Sequence, residues 1–114
     1  MCSSDLKLVN AITFHTGQVC CDATRWLVHK SIWTDFIDEC KARLRSVRVG
    51  YQMDDGTGMG PVVNAKQRAR VLGYLEKGQA QGAQAVLPGG AAEVSGHDGY
   101  YVKPALLEIG RAHV

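Results

Sequence analysis

No apolar run in this chain approaches the roughly 20 residues that a membrane-crossing helix needs. The one apolar run near the start, Ala11 to Phe14, is too short for the core of a signal peptide. An excess of charge of either sign is lacking: 13 Lys+Arg stand against 11 Asp+Glu, a formal net charge of +2. No basic run carries interleaved aromatics, so no nucleic-acid partner is expected. Cysteine is confined to Cys2, Cys20, Cys21 and Cys40, without the spacing of a secreted disulfide framework. That usage implies a reducing, cytoplasmic setting. His15 lies near Cys20, but no second group of ligands completes a metal site, and none is expected. The glycine-rich stretch 51–63, YQMDDGTGMGPVV, lacks the Lys-Ser/Thr pair of a phosphate-cradling loop. There is no internal repeat and no low-complexity segment.

What is present suits one soluble domain. The chain has 114 residues, 46% of them apolar and 21% charged, enough for a single modest core. Its two ends stand apart. Residues 108–114, EIGRAHV, back-translate to GAG ATC GGA AGA GCA CAC GTC. The reverse complement, read from its GTG as a start codon, encodes MCSSDL, which is residues 1–6. One short DNA therefore accounts for both ends, and it resembles the adapters ligated to fragments for sequencing. Residues 1–6 and 108–114 are expected to be non-native, leaving 7–107 as a domain fragment cut at both ends.

Between these ends the pattern alternates. Lys7 to Thr13 reads as the end of a helix with Leu8, Val9 and Ile12 on one side, broken by His15-Thr16-Gly17. Arg25 to His29, RWLVH, reads as a strand. Ser31 is a candidate N-cap for a helix over 32–46, with Ile32, Phe36, Ile37, Cys40 and Leu44 on its apolar side and Val47–Gly50 ending it. Asn64 caps a second helix over about 65–81, buried through Val71, Leu72 and Leu75 and stopped by Gly82. Ala85 to Leu87 reads as a short buried strand, 91–99 as a loop, and 99–107 as a strand with Pro104 at its end. Strands alternating with helices indicate an α/β fold.

The chemistry concentrates in FHTGQVCCDATR, residues 14–25. Adjacent cysteines are compatible with a buried pair, half a metal site, a strained redox couple or a nucleophile. A free thiol is only a few per cent thiolate at neutral pH, so a nucleophilic cysteine must be exposed, positioned and helped. Gly17 allows close backbone approach, and a loop between helix and strand is where such a residue meets substrate.

Residues 14–44, FHTGQVCCDATRWLVHKSIWTDFIDECKARL, resemble the active-site region of the NAD(P)-dependent aldehyde dehydrogenase superfamily. The family pattern of Gly, Gln or Glu, one residue and the catalytic Cys falls on Gly17, Gln18 and Cys20; the pattern's leading aromatic or aliphatic residue is matched by Phe14, which two residues separate from Gly17 where the pattern has three. The blocks GPVVNAKQRARVLGYLEKGQAQGA and GYYVKP follow in the family's order, so the resemblance spans nearly all of 7–107.

The resemblance implies part of a three-layer α/β catalytic domain with a mostly parallel sheet and flanking helices. Cys20 would form a thiohemiacetal and then a thioester as an aldehyde is oxidised to an acid with NAD or NADP. Phe14, Val19 and Cys21 would line the aldehyde tunnel; Gln67 and Arg70 would reach the cofactor ribose. Plain packing is the rival role for Phe14, helix capping for Gln67 and a solvated charge for Arg70. His15, Thr16, Trp26, His29 and Trp33 read as structural. The glutamate base and a second oxyanion donor, an asparagine, would lie upstream of residue 7, so the fragment alone is expected to be inactive. The complete protein would form a homodimer or homotetramer. Asp22 departs from the small or amide residue expected there. A carboxylate at the sulfur would disfavour the thiolate, so Asp22 is expected to point away or to pair with Arg25. Two alternatives remain: an acylating, coenzyme A-dependent dehydrogenase, and a non-catalytic binding or structural protein of the same fold.

Overall fold

The computed structural model describes residues 4–109. The expected non-native ends therefore lie partly outside the described residues; of those ends, 4–6 begin a helix and Glu108 ends a strand.

Helix α1 (Ser4–Thr13) buries Val9 to 2% exposure, with Leu8 and Ile12 beside it, the side expected from the sequence. Helix α2 (Trp33–Ser46) packs across it through Phe36, Cys40 and Leu44. These three recur every fourth residue and so share one face. Each apolar side chain of this size contributes roughly 1.5–3 kcal/mol when buried. Cys40 is the small core residue at 0% exposure. Ile32 departs from expectation: it flanks the helix, is exposed, and its carbonyl accepts the Phe36 N–H at 2.9 Å. Ser31 does not cap α2, because its N–H donates to His29 Nδ1 at 3.1 Å and its Oγ lies 2.8 Å from the same nitrogen. On the solvated side Glu39 and Arg43 form an i,i+4 ion pair at 3.2 Å.

The segment 25–29 was expected as a strand and is irregular. Its side chains keep the two-residue alternation: Trp26 and Val28 pack on the α1–α2 core, while Leu27 is 87% exposed. The Trp26 ring meets Phe36 edge-on at 5.9 Å. A strand is defined by a hydrogen-bonded neighbour, and among the described residues none lies alongside.

Helix α3 (Ala65–Ala80) starts at Asn64, whose Oδ1 accepts the Gln67 N–H at 2.8 Å. Val71, Leu72 and Leu75 are half-buried rather than buried, so α3 rests on the core without being enclosed. Gly82 turns left-handed at φ 102° and Ala83 N–H returns to the Gly78 carbonyl, closing the helix.

Strand β1 (Gln84–Leu87) pairs with β4 (Leu106–Glu108), and β2 (Gly90–Val94) with β3 (His97–Lys103). The expected loop 91–99 is therefore mostly a hairpin. Ser95-Gly96 forms its tip, with Gly96 at φ 78°. Ala92 faces the buried Tyr101 across the hairpin, a contact that polar composition in 91–99 concealed. The α/β layering is present, but both strand pairs run antiparallel; for β2 and β3 the two-residue link permits no other direction. The mostly parallel sheet implied by the resemblance is not assembled from these residues, whose parallel contact is the isolated bridge Val49–Met59. A second cluster, Met59, Val62 and Val102, joins this sheet to α3 through Leu72 and to the first core through Val47.

Candidate active site

The cysteine segment hangs between two anchors. Upstream, Thr13 closes α1, buried, with its Oγ1 donating to the Val9 carbonyl at 2.8 Å. Downstream, Trp26 Nε1–H donates to the Ala23 carbonyl at 2.7 Å, and the ring is held by the core. Three successive residues between them are left-handed: His15 at φ 51°, Thr16 at 58° and Gly17 at 72°. For His15 and the β-branched Thr16 this costs on the order of 1–2 kcal/mol each.

Three side-chain hydrogen bonds offset that cost. Thr16 Oγ1 donates to the Gly60 carbonyl at 3.0 Å. Gln18 Oε1 accepts the Val63 N–H at 2.8 Å, and its Nε2 donates to the His15 carbonyl at 2.9 Å. At about 0.5–1.5 kcal/mol each, they are of the same size as the strain.

Beyond Gln18 the chain makes a tight turn, with Asp22 N–H returning to the Val19 carbonyl at 3.2 Å. Cys20 and Cys21 occupy its two central positions, and both are exposed free thiols. The exposure removes the buried-pair reading. Among the described residues no group of three or more His, Cys, Asp or Glu forms a metal site. The Cys20 N–H has no intrachain partner among the described residues, which leaves a donor beside its own sulfur. An exposed thiol next to an unused N–H suits attack on a carbonyl whose oxygen gains charge.

The remaining expected site residues are placed as follows. Val19 is half-buried and shares the turn with Cys20 and Cys21. Phe14 heads the left-handed turn at 70% exposure, so it is not a core residue of this chain. Asp22 neither pairs with Arg25 nor points into solvent with both oxygens: its Oδ2 is buried without a hydrogen bond. Gln67 gives its N–H to the Asn64 cap, and Arg70 lays its guanidinium 5.9 Å from the Tyr74 ring centre. Both stand on α3, which begins two residues after the Val63 that Gln18 holds. An amide and a guanidinium three positions apart share one side of the helix, a donor set that fits sugar hydroxyls.

Sequence reasoning missed the bonds to Gly60 and Val63. They span 44 and 45 residues, and no local pattern announces such a partner.

A family model described as Aldehyde dehydrogenase family matches residues 6–112. A betaine aldehyde dehydrogenase from Brucella anthropi is 43% identical over 95 residues, which cover 82% of this chain and 20% of that relative. A second, from Brucella ovis, is 42% identical over the same length. Among solved structures, an NAD+ complex of aldehyde dehydrogenase from Bacillus cereus superposes with a TM-score of 0.84 at 31% identity, over 92% of this chain and 21% of that one. A betaine aldehyde dehydrogenase mutant from Staphylococcus aureus, in complex with NAD+ and carrying a BME-modified cysteine, gives a TM-score of 0.82 at 29% identity, over 91% and 21%. The chain thus spans about a fifth of the length of the curated relatives it matches.

Proposed function

Since the chain belongs to the aldehyde dehydrogenase family, we propose that it is the nucleophile-bearing part of an NAD(P)-dependent enzyme that oxidises an aldehyde to a carboxylic acid. The observation that carries this reading is the exposed Cys20 thiol at the centre of an anchored turn, beside its own N–H, which has no intrachain partner among the described residues.

Cys20, as thiolate, attacks the carbonyl carbon and forms a C–S bond. The carbonyl π pair moves to oxygen, and the Cys20 N–H donates to the oxyanion. Bound NAD(P)+ supplies the hydride acceptor that lets this thiohemiacetal become a thioester. Water then adds to the thioester carbonyl; the acid leaves and the Cys20 thiol is restored. Val19 and Cys21, on the same turn, and Phe14, ahead of it, form the near wall of the aldehyde site. Gln67 and Arg70 hold the cofactor ribose.

The glutamate that activates water and the asparagine that completes the oxyanion hole come from outside this chain, so the chain alone gives no turnover. The complete enzyme works in the cytoplasm as a homodimer or homotetramer. Betaine aldehyde is the first substrate to assay, because three of the similar proteins described above are betaine aldehyde dehydrogenases.

The test is alkylation followed by substitution. Iodoacetamide should label Cys20 ahead of Cys21 and the buried Cys40, and Cys20→Ser should abolish aldehyde oxidation by the full-length protein. Normal turnover with serine at this position would end the proposal.

A further inference from the structure

The strained turn ahead of Cys20 does not hold its shape by local bonding alone. His15, Thr16 and Gly17 are all left-handed, and two of them carry side chains that disfavour it. Two of the three bonds that offset this strain cross to one short segment, residues 60–63, far away in sequence. Thr16 binds its first residue through the Gly60 carbonyl, and Gln18 binds its last through the Val63 N–H. Gln18 also binds back to His15, so one amide joins the start of the left-handed run to the distant segment. Cys20 follows Gln18 by two residues, across a turn with a single backbone bond.

From this geometry we infer that Thr16 and Gln18 are positioning residues that clamp the cysteine turn to the 60–63 segment and so fix the line along which the Cys20 sulfur meets its electrophile. The same segment leads directly into α3, which carries Gln67 and Arg70. The clamp thereby links the nucleophile to the helix proposed to hold the cofactor. The inference rests on the proposal that Cys20 is the nucleophile.

Four variants of the full-length enzyme separate the two ideas: Gln18→Leu, Gln18→Glu, Thr16→Val and Thr16→Ser. Gln18→Leu removes both bonds of the amide. Gln18→Glu keeps an oxygen for the Val63 N–H but sets a second oxygen against the His15 carbonyl. Thr16→Val removes the hydroxyl, and Thr16→Ser retains it. The readouts are kcat and KM for the aldehyde, the ratio of Cys20 to Cys21 labelling by iodoacetamide, and the melting temperature. A misaimed nucleophile loses kcat while substrate binding holds. Gln18→Leu should therefore lower kcat on the order of tenfold to a hundredfold, with KM within about threefold. The labelling ratio should fall with it. Gln18→Glu should recover part of the loss, and Thr16→Ser should exceed Thr16→Val.

If Gln18→Leu does not fold, the Thr16 pair carries the test. Unchanged kcat and labelling ratio, within about twofold, in every folded bond-removing variant would overturn the clamp and leave the nucleophile standing. Absence of preferential Cys20 labelling in the unmodified protein would instead overturn the nucleophile itself.

Discussion

Alanine at two glycines should move stability in opposite directions. Gly17 lies at φ 72°, and a Cβ there would sit 3.1 Å from the Ile12 carbonyl oxygen, a backbone atom in the last turn of α1. Gly73 lies within α3, is exposed, and a Cβ there would meet nothing within 4 Å. For Gly17→Ala the left-handed conformation costs about 1–2 kcal/mol. Reduced freedom of the unfolded chain returns about 0.4–1 kcal/mol. The carbonyl contact adds a further cost, because the backbone of α1 cannot swing aside as a flexible side chain would. The net effect is a loss of roughly 1–2 kcal/mol. For Gly73→Ala a helix interior gains about 0.5–1 kcal/mol.

In a domain of this size about 1 kcal/mol corresponds to roughly 4–8 °C in melting temperature. The two variants should therefore bracket the unmodified chain, with Gly17→Ala several degrees below and Gly73→Ala a few degrees above. Thermal denaturation followed by far-UV circular dichroism, checked for reversibility, measures both. Iodoacetamide labelling adds a second axis: Gly17→Ala should slow modification of Cys20, and Gly73→Ala should leave it unchanged. Melting temperatures that shift in the same direction, or a Gly17→Ala protein indistinguishable from the original, would refute the reading of the turn.

Other outcomes follow from the same packing. Leu44→Ala, at 1% exposure in the α1–α2 core, should cost about 2–5 kcal/mol by urea unfolding, and Leu44→Met much less. Asn64→Ala removes the bond to the Gln67 N–H and should cost about 1 kcal/mol in the same assay. Arg70→Ala in the full-length enzyme should raise KM for NAD(P)+ on the order of tenfold, with little change in melting temperature. An unchanged cofactor KM would return Arg70 to the role of a charge stacked on Tyr74.

Helices were the most legible parts of the fold. Phe36, Ile37, Cys40 and Leu44 recur at the mixed spacing of three and four that a helix places on one face, and Asn64 starts its helix with a cap written in nearby residues. The hairpin at 90–103 was half legible: its second strand shows in Tyr101 and Val102, whereas its first is small and polar and becomes a strand through pairing. RWLVH shows the converse. Its alternation survives as Trp26 and Val28 facing inward, but without a neighbour to bond it forms no sheet. Of the proposed site, the Gly17-Gln18-x-Cys20 pattern singled out Cys20, and the fold leaves that thiol exposed on a turn. The same pattern gave no role to Thr16, which reads locally as a turn residue.

Residue order alone decided what depends on neighbours a few positions apart: helix faces, the Asn64 cap, the glycine stops, and two cysteines set after a glycine turn. Tertiary structure decided what depends on partners tens of residues away: that 91–99 pairs, that Asp22 hides one oxygen, and that Thr16 and Gln18 fasten the cysteine turn to Gly60 and Val63. The difference is physical. A short-range contact is constrained by backbone geometry that the residues themselves prescribe, whereas a long-range hydrogen bond exists only once the whole core has brought its two ends together.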